Sequence, residues 1–143
     1  MIVVDTTVLV YAVGVEHRLR EPSRRLIEAV RDGKLEATTT IGVIQEFAGV
    51  RARRWSRREA ASLARRYADL FSPLLLVPRE QLDRGLTLFE RHDRLGSFDA
   101  VLAAMALAVD AEALVSADED FAGIPRLAYV GLDAPELDEL VSR

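Results

Sequence analysis

The sequence has no cysteine and only one lysine, Lys34, among its 143 residues. Without thiols the chain cannot form disulfides, thiolate metal sites, iron–sulfur clusters or a cysteine nucleophile, which fits the reducing cytoplasm where we expect it to reside. No apolar run approaches the roughly 18 residues that a membrane span needs, so we expect no membrane contact. The first four residues lead directly to Asp5 without a basic segment, and we therefore expect no signal peptide.

Several enzyme classes are excluded because a residue or motif that they require is missing. There is no Gly-x-Ser-x-Gly segment for a serine hydrolase and no phosphate-binding P-loop. Haloacid-dehalogenase-like phosphatases need a second Asp at the position of Thr7. Receiver domains need a lysine after a late strand, whereas Lys34 lies early in the chain.

The charges are unevenly distributed along the chain, although the net charge is only −4. Residues 51–66 contain seven arginines and a single acid, whereas residues 110–143 contain nine acids and two arginines. The arginine-rich stretch is a candidate surface for nucleic-acid phosphates or for a protein partner, and an ordinary solvated helix face is the alternative. The residues that we expect to make such contacts are Arg53, Arg54, Trp55, Arg57 and Arg58.

Strand-like and helix-like segments alternate along the chain. Apolar, β-rich runs predict five strands, at about 2–4, 35–39, 74–77, 113–115 and 127–132. Helical spacing and capping residues predict helices at about 8–13, 22–32, 41–53, 57–71, 80–92 and 98–109, with a short one after Pro135. This alternation is typical of the α/β class. We expect residues 1–143 to form a single domain with a mainly parallel central sheet of about five strands flanked by helices.

Four acids lie at or near the carboxyl ends of the predicted strands, the edge at which parallel α/β sheets bind ligands. Asp5 and Asp118 each follow the end of a predicted strand. Asp99 is the only polar side chain in the helix predicted over 98–109, where an unpaired charge would be costly. Glu46 lies just outside the apolar face of its helix and can lean over a cleft. Taken singly, each acid has a structural alternative as a turn residue, a cap, a helix-dipole partner or a boundary residue.

Taken together, these acids predict a site for a metal ion. If the first and fourth strands are central in the sheet, all four carboxylates converge at one end of it. Clustered carboxylates repel one another and raise each other's pKa unless a cation lies between them. Sites built from oxygen ligands alone select Mg²⁺ or Mn²⁺. We therefore expect Mg²⁺ as the cofactor, with Mn²⁺ as the alternative ion.

Four segments of the chain resemble the signature of a known family. They are Asp5-Thr6-Thr7-Val8, Gln45-Glu46-Phe47, Ser97-Phe98-Asp99-Ala100 and Ser116-Ala117-Asp118-Glu119-Asp120-Phe121. Their order and spacing over one small chain are similar to those of PIN-domain ribonucleases. The size of the chain resembles the VapC-type toxins of bacterial toxin–antitoxin pairs.

This resemblance implies a PIN-like fold and a metal-dependent endoribonuclease. Its catalytic and metal-binding acids would be Asp5, Glu46, Asp99 and Asp118. The resemblance also implies bracing hydroxyls at Thr6 and Ser116 and a supporting acid at Asp120. The implied partners are an RNA substrate, a cognate antitoxin protein and a second copy of the chain in a homodimer. A non-catalytic protein-binding module of the same fold, whose acids are only structural caps, is the alternative from another functional class.

Overall fold

A parallel sheet of four strands forms the centre of the computed structural model, which describes residues 1–143. The strands are β1 (Ile2–Val4), β2 (Ala37–Thr38), β3 (Ala113–Ser116) and β4 (Tyr129–Gly131). Their spatial order is β2-β1-β3-β4, and every neighbouring pair is parallel. Ile2 lies opposite Ala37 on one side and Ala113 on the other. The carboxyl ends of β1 and β3 therefore emerge side by side at one edge of the sheet.

Helices connect the strands and flank the sheet. They are α1 (Thr6–Val13), α2 (Arg20–Arg31), α3 (Ile41–Ala52), α4 (Arg57–Leu70), α5 (Arg79–Arg91), α6 (Ser97–Ala108) and α7 (Pro135–Val141), with a 3₁₀ helix at Glu119–Gly123. The expected α/β architecture with a parallel sheet is confirmed. None of the helices has the length and apolar character that crossing a bilayer requires.

Local capping signals determine where several helices begin. The Ser56 hydroxyl accepts a hydrogen bond of 3.0 Å from the backbone N–H of Glu59, so α4 starts directly after Ser56 as its capping-box sequence predicts. The Thr40 hydroxyl accepts one of 3.1 Å from the N–H of Val43 and starts α3 in the same way. Pro135 occupies the first turn of α7, where its missing N–H costs nothing.

Close packing fixes the helices that approach the carboxyl edge of the sheet. Strands β1 and β3 are buried along their whole length, as expected for parallel strands covered by helices on both faces. The third helix contributes Phe47 to the core, and α6 contributes the small residues Ala100 and Ala103. Because these side chains are almost fully buried, α3 and α6 have little freedom to move relative to the sheet edge.

The fifth strand, expected at Leu74–Val77, does not form. This segment makes only one isolated parallel bridge, between Thr40 and Leu75. Leu76 is 71% exposed, so the apolar run is not buried as expected. Prolines at both ends of the run limit the backbone hydrogen bonds that it can form, and no further strand lies beside it to cover it.

Helix α5 also presents its large apolar residues to solvent rather than to the core. Leu82, Leu86 and Phe89 are exposed, while Gln81 and Gly85 are buried against α6. Further exposed large apolar residues lie in the 74–77 segment, on α3 and at the start of α6, and we call the whole set the apolar patch. Its members are Ile41, Leu76, Val77, Leu82, Leu86, Phe89 and Phe98.

Two contacts connect the parts of the apolar patch that lie on α3, in the 74–77 segment and at the start of α6. The backbone N–H of Ile41 bonds to the carbonyl of Leu75 at 3.3 Å, which brings α3 beside the Leu76 segment. The ring of Phe98 packs over Gly42, where an added Cβ would lie 3.1 Å from Cε2 of that ring. The patch therefore extends to the residue beside Asp99, at the edge of the candidate site.

Candidate active site

The four acids occupy the elements that meet at the carboxyl edge of the sheet. Asp5 directly follows β1 at the N-cap of α1 and is 3% exposed. Asp118 lies two residues after β3, directly before the 3₁₀ helix. Asp99 lies in the first turn of α6, and Glu46 lies in the middle of α3. No ion pair of the chain includes any of these acids.

Two hydroxyl groups hold the buried carboxylate of Asp5. Ser116 Oγ donates to Asp5 Oδ2 at 2.7 Å, and Thr7 Oγ1 donates to the same oxygen at 3.0 Å. The two hydroxyl oxygens lie 3.2 Å apart. Since both bonds use Oδ2, the other oxygen, Oδ1, forms no hydrogen bond within the chain and is available to a ligand.

The same hydroxyls connect Asp5 to the segment that carries Asp118. The N–H of Ala117 donates to Thr7 Oγ1 at 3.0 Å, and the N–H of Asp118 donates to Ser116 Oγ at 2.9 Å. Each hydroxyl thus donates to Asp5 and accepts from the backbone after β3, so the two acids share one rigid network. The Oδ1 atom of Asp118 accepts from the N–H of Asp120 at 2.9 Å, which is the capping role that an acid takes before a helix.

Asp99 is the most strongly perturbed carboxyl group of the site. Burial at the start of α6 is the main cause, and together with the negative charges of Asp5, Asp118, Glu46 and Asp120, in that order, it raises the pKa of Asp99 to about 7. The acids are therefore close enough to repel one another, and no basic side chain compensates their charge. A perturbed acid in such a cleft is a candidate functional group.

Glu46, which lies on α3, is also affected by the negative charge of the site. Burial raises its pKa, the charge of Asp5 adds to this increase, and the hydroxyl of Thr6 opposes it. Thr6 is buried and its hydroxyl makes no hydrogen bond of ordinary geometry. Thr6 thus lies on the Glu46 side of the site, whereas the hydroxyl that braces Asp5 beside Ser116 is that of Thr7.

The donor set suits a hard divalent cation. The candidate ligands are all carboxylates, which Mg²⁺ and Mn²⁺ prefer, and the unbonded Oδ1 of Asp5 offers one of them. No three of the acids are drawn close enough to enclose an ion by themselves. An open arrangement is what mutual repulsion favours, and Mg²⁺ commonly keeps several waters between itself and its protein ligands. The residues present therefore fit such an ion, held in part through water.

The arginine-rich stretch, residues 51–66, contains one arginine that faces inward, and it lies in the last turn of α3. Arg51 donates to the carbonyl of Val13 at 3.0 Å, pairs with Glu59 at 3.0 Å and lies 4.8 Å from the ring centre of Trp55. The remaining candidate contact residues are exposed, and the arginines among them make no ion pair. They are Arg53, Arg54, Trp55, Arg57 and Arg58.

Sequence reasoning missed two residues of the site. The sequence does not predict Thr7 as the hydroxyl that braces Asp5. Two adjacent threonines follow Asp5, and only the folded backbone determines which hydroxyl faces the carboxylate. Tyr129 begins β4, and its hydroxyl donates to the carbonyl of Ser116 at 3.2 Å. Burial raises the pKa of Tyr129 to about 12, and the charges of Glu119 and Asp118 contribute. No local sequence pattern marks a strand residue whose side chain reaches a neighbouring strand end.

Known proteins are similar to this chain in sequence and in fold. The sequence profile of the PIN domain matches residues 2–127. Ribonuclease VapC7 of Mycobacterium tuberculosis is 48% identical over 145 residues, covering 99% of this chain and 98% of that protein. The crystal structure of VapC20 from the same organism, a Sarcin-Ricin loop cleaving toxin, superposes with a TM-score of 0.72 at 20% identity over 89% of this chain and 98% of that one.

A toxin–antitoxin complex from Klebsiella pneumoniae superposes with a TM-score of 0.66 at 19% identity, over 92% of this chain and 98% of that one. At these identities the solved structures establish the fold alone. The profile match and the VapC7 relative go further, because each spans most of the chain. The chain belongs to the PIN-domain family, within its VapC group.

Proposed function

We propose that this chain is a metal-dependent endoribonuclease and the toxin of a toxin–antitoxin pair. The observation that carries the proposal is that the four acids lie on elements that meet at the carboxyl edge of the sheet, where none of them forms an ion pair. Burial and the mutual repulsion of these acids raise the pKa of Asp99 to about 7. A cation site is the function that such uncompensated repulsion supports best. The 48% identity to Ribonuclease VapC7 supports RNA as the substrate.

In this proposal each acid has a distinct position around the ion. Asp5, through its free Oδ1, and Asp99 are the chief ligands, while Glu46 and Asp118 bind through water or hold a second ion. Bound Mg²⁺ or Mn²⁺ would lower the pKa of a coordinated water and neutralise charge on the scissile phosphate. Ser116 and Thr7 keep Asp5 oriented, and Asp120 adds negative charge at the rim. Thr6 places a hydroxyl beside Glu46.

The exposed residues of the α3–α4 turn are the proposed contact surface. Phosphate contacts from arginine supply affinity that does not depend on sequence, and an exposed tryptophan can stack on a base or anchor a partner. Arg53, Arg54, Arg57 and Arg58 are free for such contacts with RNA or with the antitoxin. Arg51 is not, because the Val13 carbonyl and Glu59 already occupy its guanidinium.

A second copy of the chain is the proposed occupant of the apolar patch. The patch unites exposed large side chains from α3, the 74–77 segment, α5 and the start of α6, and surfaces of this kind mark interaction sites. In a two-fold homodimer the patch of one copy packs against the same patch of the other copy, so both patches are buried.

Light scattering should give a dimer for the wild type and a monomer for Phe89→Glu. Val15→Glu, at an exposed apolar residue outside the patch, is the control, and a dimer that survives Phe89→Glu contradicts this partner.

The nuclease proposal is tested with Asp99→Asn, which keeps the shape of the side chain and removes its charge. We expect this variant to lose RNA cleavage and growth inhibition while still binding the antitoxin and dimerising. Asp93→Asn, at an exposed acid outside the site, should behave as the wild type. If Asp99→Asn cleaves RNA as well as the wild type, the nuclease mechanism is wrong. A chain that binds the antitoxin without ever cleaving RNA would instead be a binding module.

A further inference from the structure

We propose that Tyr129 is a positioning residue of this site, whose hydroxyl fixes the end of β3 and thereby the orientation of Asp5 and Asp118. The inference rests on the proposed nuclease function. It assigns a role to a β4 residue that lies outside the acidic signature segments, which end at Phe121.

A short chain of hydrogen bonds connects the phenol to both acids. The Tyr129 hydroxyl donates to the carbonyl of Ser116 at 3.2 Å. The side chain of the same serine donates to Asp5 Oδ2 at 2.7 Å and accepts from the N–H of Asp118 at 2.9 Å. Tyr129 thus holds the backbone carbonyl of Ser116, while Asp5 and the N–H of Asp118 hold its hydroxyl. If the bond to Tyr129 is lost, Ser116 is held less firmly, and so are the positions of Asp5 and Asp118 relative to each other.

The surroundings of the phenol keep it in place and keep it a donor. Tyr129 lies beside Leu114 in the β3–β4 register, so its side chain must extend along the sheet to reach Ser116. The ring of Phe121 stacks against it with centroids 6.3 Å apart and planes 27° apart. Burial and the neighbouring acids disfavour ionisation of the hydroxyl, so its proton stays available for the Ser116 carbonyl.

Gly131 provides the space that this arrangement needs. It lies opposite Ser116 in the register of β3 and β4. A Cβ at this position would lie 3.2 Å from the Tyr129 hydroxyl oxygen and 3.3 Å from Asp133 Oδ1. An alanine there would crowd the phenol and the Asp133 carboxylate, so that one of them must shift by a few tenths of an ångström, while the Tyr129 hydroxyl stays present. Gly131→Ala is therefore a second perturbation of the same contact by different chemistry.

The chain contains a matched control for removal of the hydroxyl. Tyr67 also donates to a backbone carbonyl, that of Leu9, at 3.3 Å, but from α4 and without a hydrogen bond to the acids, to Ser116 or to Thr7. Tyr129→Phe and Tyr67→Phe therefore make the same chemical change and remove bonds of similar length. Any general loss of stability should appear in both variants, whereas an effect on the site should appear only in Tyr129→Phe.

The experiment compares the wild type, Tyr129→Phe, Gly131→Ala and Tyr67→Phe. Calorimetric titration with Mn²⁺ measures the Kd of the free protein, and cleavage of a single-stranded RNA library measures kcat and KM. For Tyr129→Phe we expect Kd for Mn²⁺ to rise and kcat to fall, each about 2- to 10-fold, the range that one neutral hydrogen bond provides. Gly131→Ala should shift both quantities in the same direction. KM should stay unchanged in every variant, because the proposed RNA contacts lie in the α3–α4 turn and at the start of α4.

Two outcomes overturn the inference. Tyr129→Phe could match the wild type in Kd and kcat, or Tyr67→Phe could show the same losses, which would assign the effect to general destabilisation. Failure of the proposed function is distinguishable from both, because then the wild type itself neither binds Mn²⁺ nor cleaves RNA, and the inference falls with it.

Discussion

Removing the charge of Asp99 should stabilise the metal-free protein at neutral pH. Burial and the charges of the neighbouring acids raise the pKa of this carboxyl from its ordinary value of 3.8 to about 7, so folding disfavours its ionised form. When folding raises the pKa of a carboxyl group, its contribution to the free energy of unfolding is fully present below the unfolded pKa and is lost as the pH rises through the folded pKa. Asparagine cannot ionise, so Asp99→Asn should not lose stability over this pH range.

The size of the effect follows from the shift in pKa. A change of about 3 units corresponds to about 4 kcal/mol at 1.36 kcal/mol per unit. Because the carboxyl is only half-buried, solvent screening reduces this figure, and we expect about 2 kcal/mol of extra stability for Asp99→Asn at pH 8. The difference between variant and wild type should shrink as the pH falls from about 7 to about 4, where the wild-type carboxyl is protonated in the folded state.

Urea unfolding in the presence of a chelator, at pH 8 and at pH 4, measures this difference directly. Asp93→Asn, at an exposed acid, is the control and should change the free energy of unfolding little at either pH. Added Mn²⁺ should stabilise the wild type more than Asp99→Asn, because binding to the folded state alone raises stability. The electrostatic reasoning is refuted if Asp99→Asn is less stable than the wild type at pH 8 without metal.

Two further predictions concern the scaffold that holds the site. Arg51→Met should lower the free energy of unfolding by about 2 kcal/mol, because Glu59 then keeps a partly buried charge without its partner; urea unfolding measures it. Gly85→Ala should lower the melting temperature, because its Cβ would lie 2.7 Å from Cα of Val101 and force α5 away from α6. A variant Gly49→Ala, whose Cβ meets nothing within 4 Å, should not.

The elements of the fold could be predicted wherever local chemistry determines them. The Ser56–Glu59 capping box placed the start of α4, and short apolar runs placed β1 and β3. The 74–77 run has the same composition as a buried strand, but a strand also needs neighbours to pair with and a layer to cover it. Both conditions depend on the whole fold, and the flanking prolines, Pro73 and Pro78, are the one local difference between this run and β3.

The candidate site shows the same division between local and long-range information. Asp5 and Asp118 were recognisable because each lies within two residues of the end of a strand. The choice of Thr7 over Thr6 beside Asp5 depends on how α1 leaves the sheet, and the inward turn of Arg51 depends on the position of the α1 carboxyl end. Neither contact can be predicted from the spacing of residues along the sequence.

The central claim is that four acids from separate elements form a single cation site, and Mn²⁺ titration of quartet variants tests it most directly. The account predicts saturable binding to the wild type by calorimetry and at least ~10-fold weaker binding to Asp5→Asn, because one of its two chief ligands is changed. Asp93→Asn should bind as the wild type does. Equal affinity of Asp5→Asn and the wild type, or no binding to the wild type, would contradict the account.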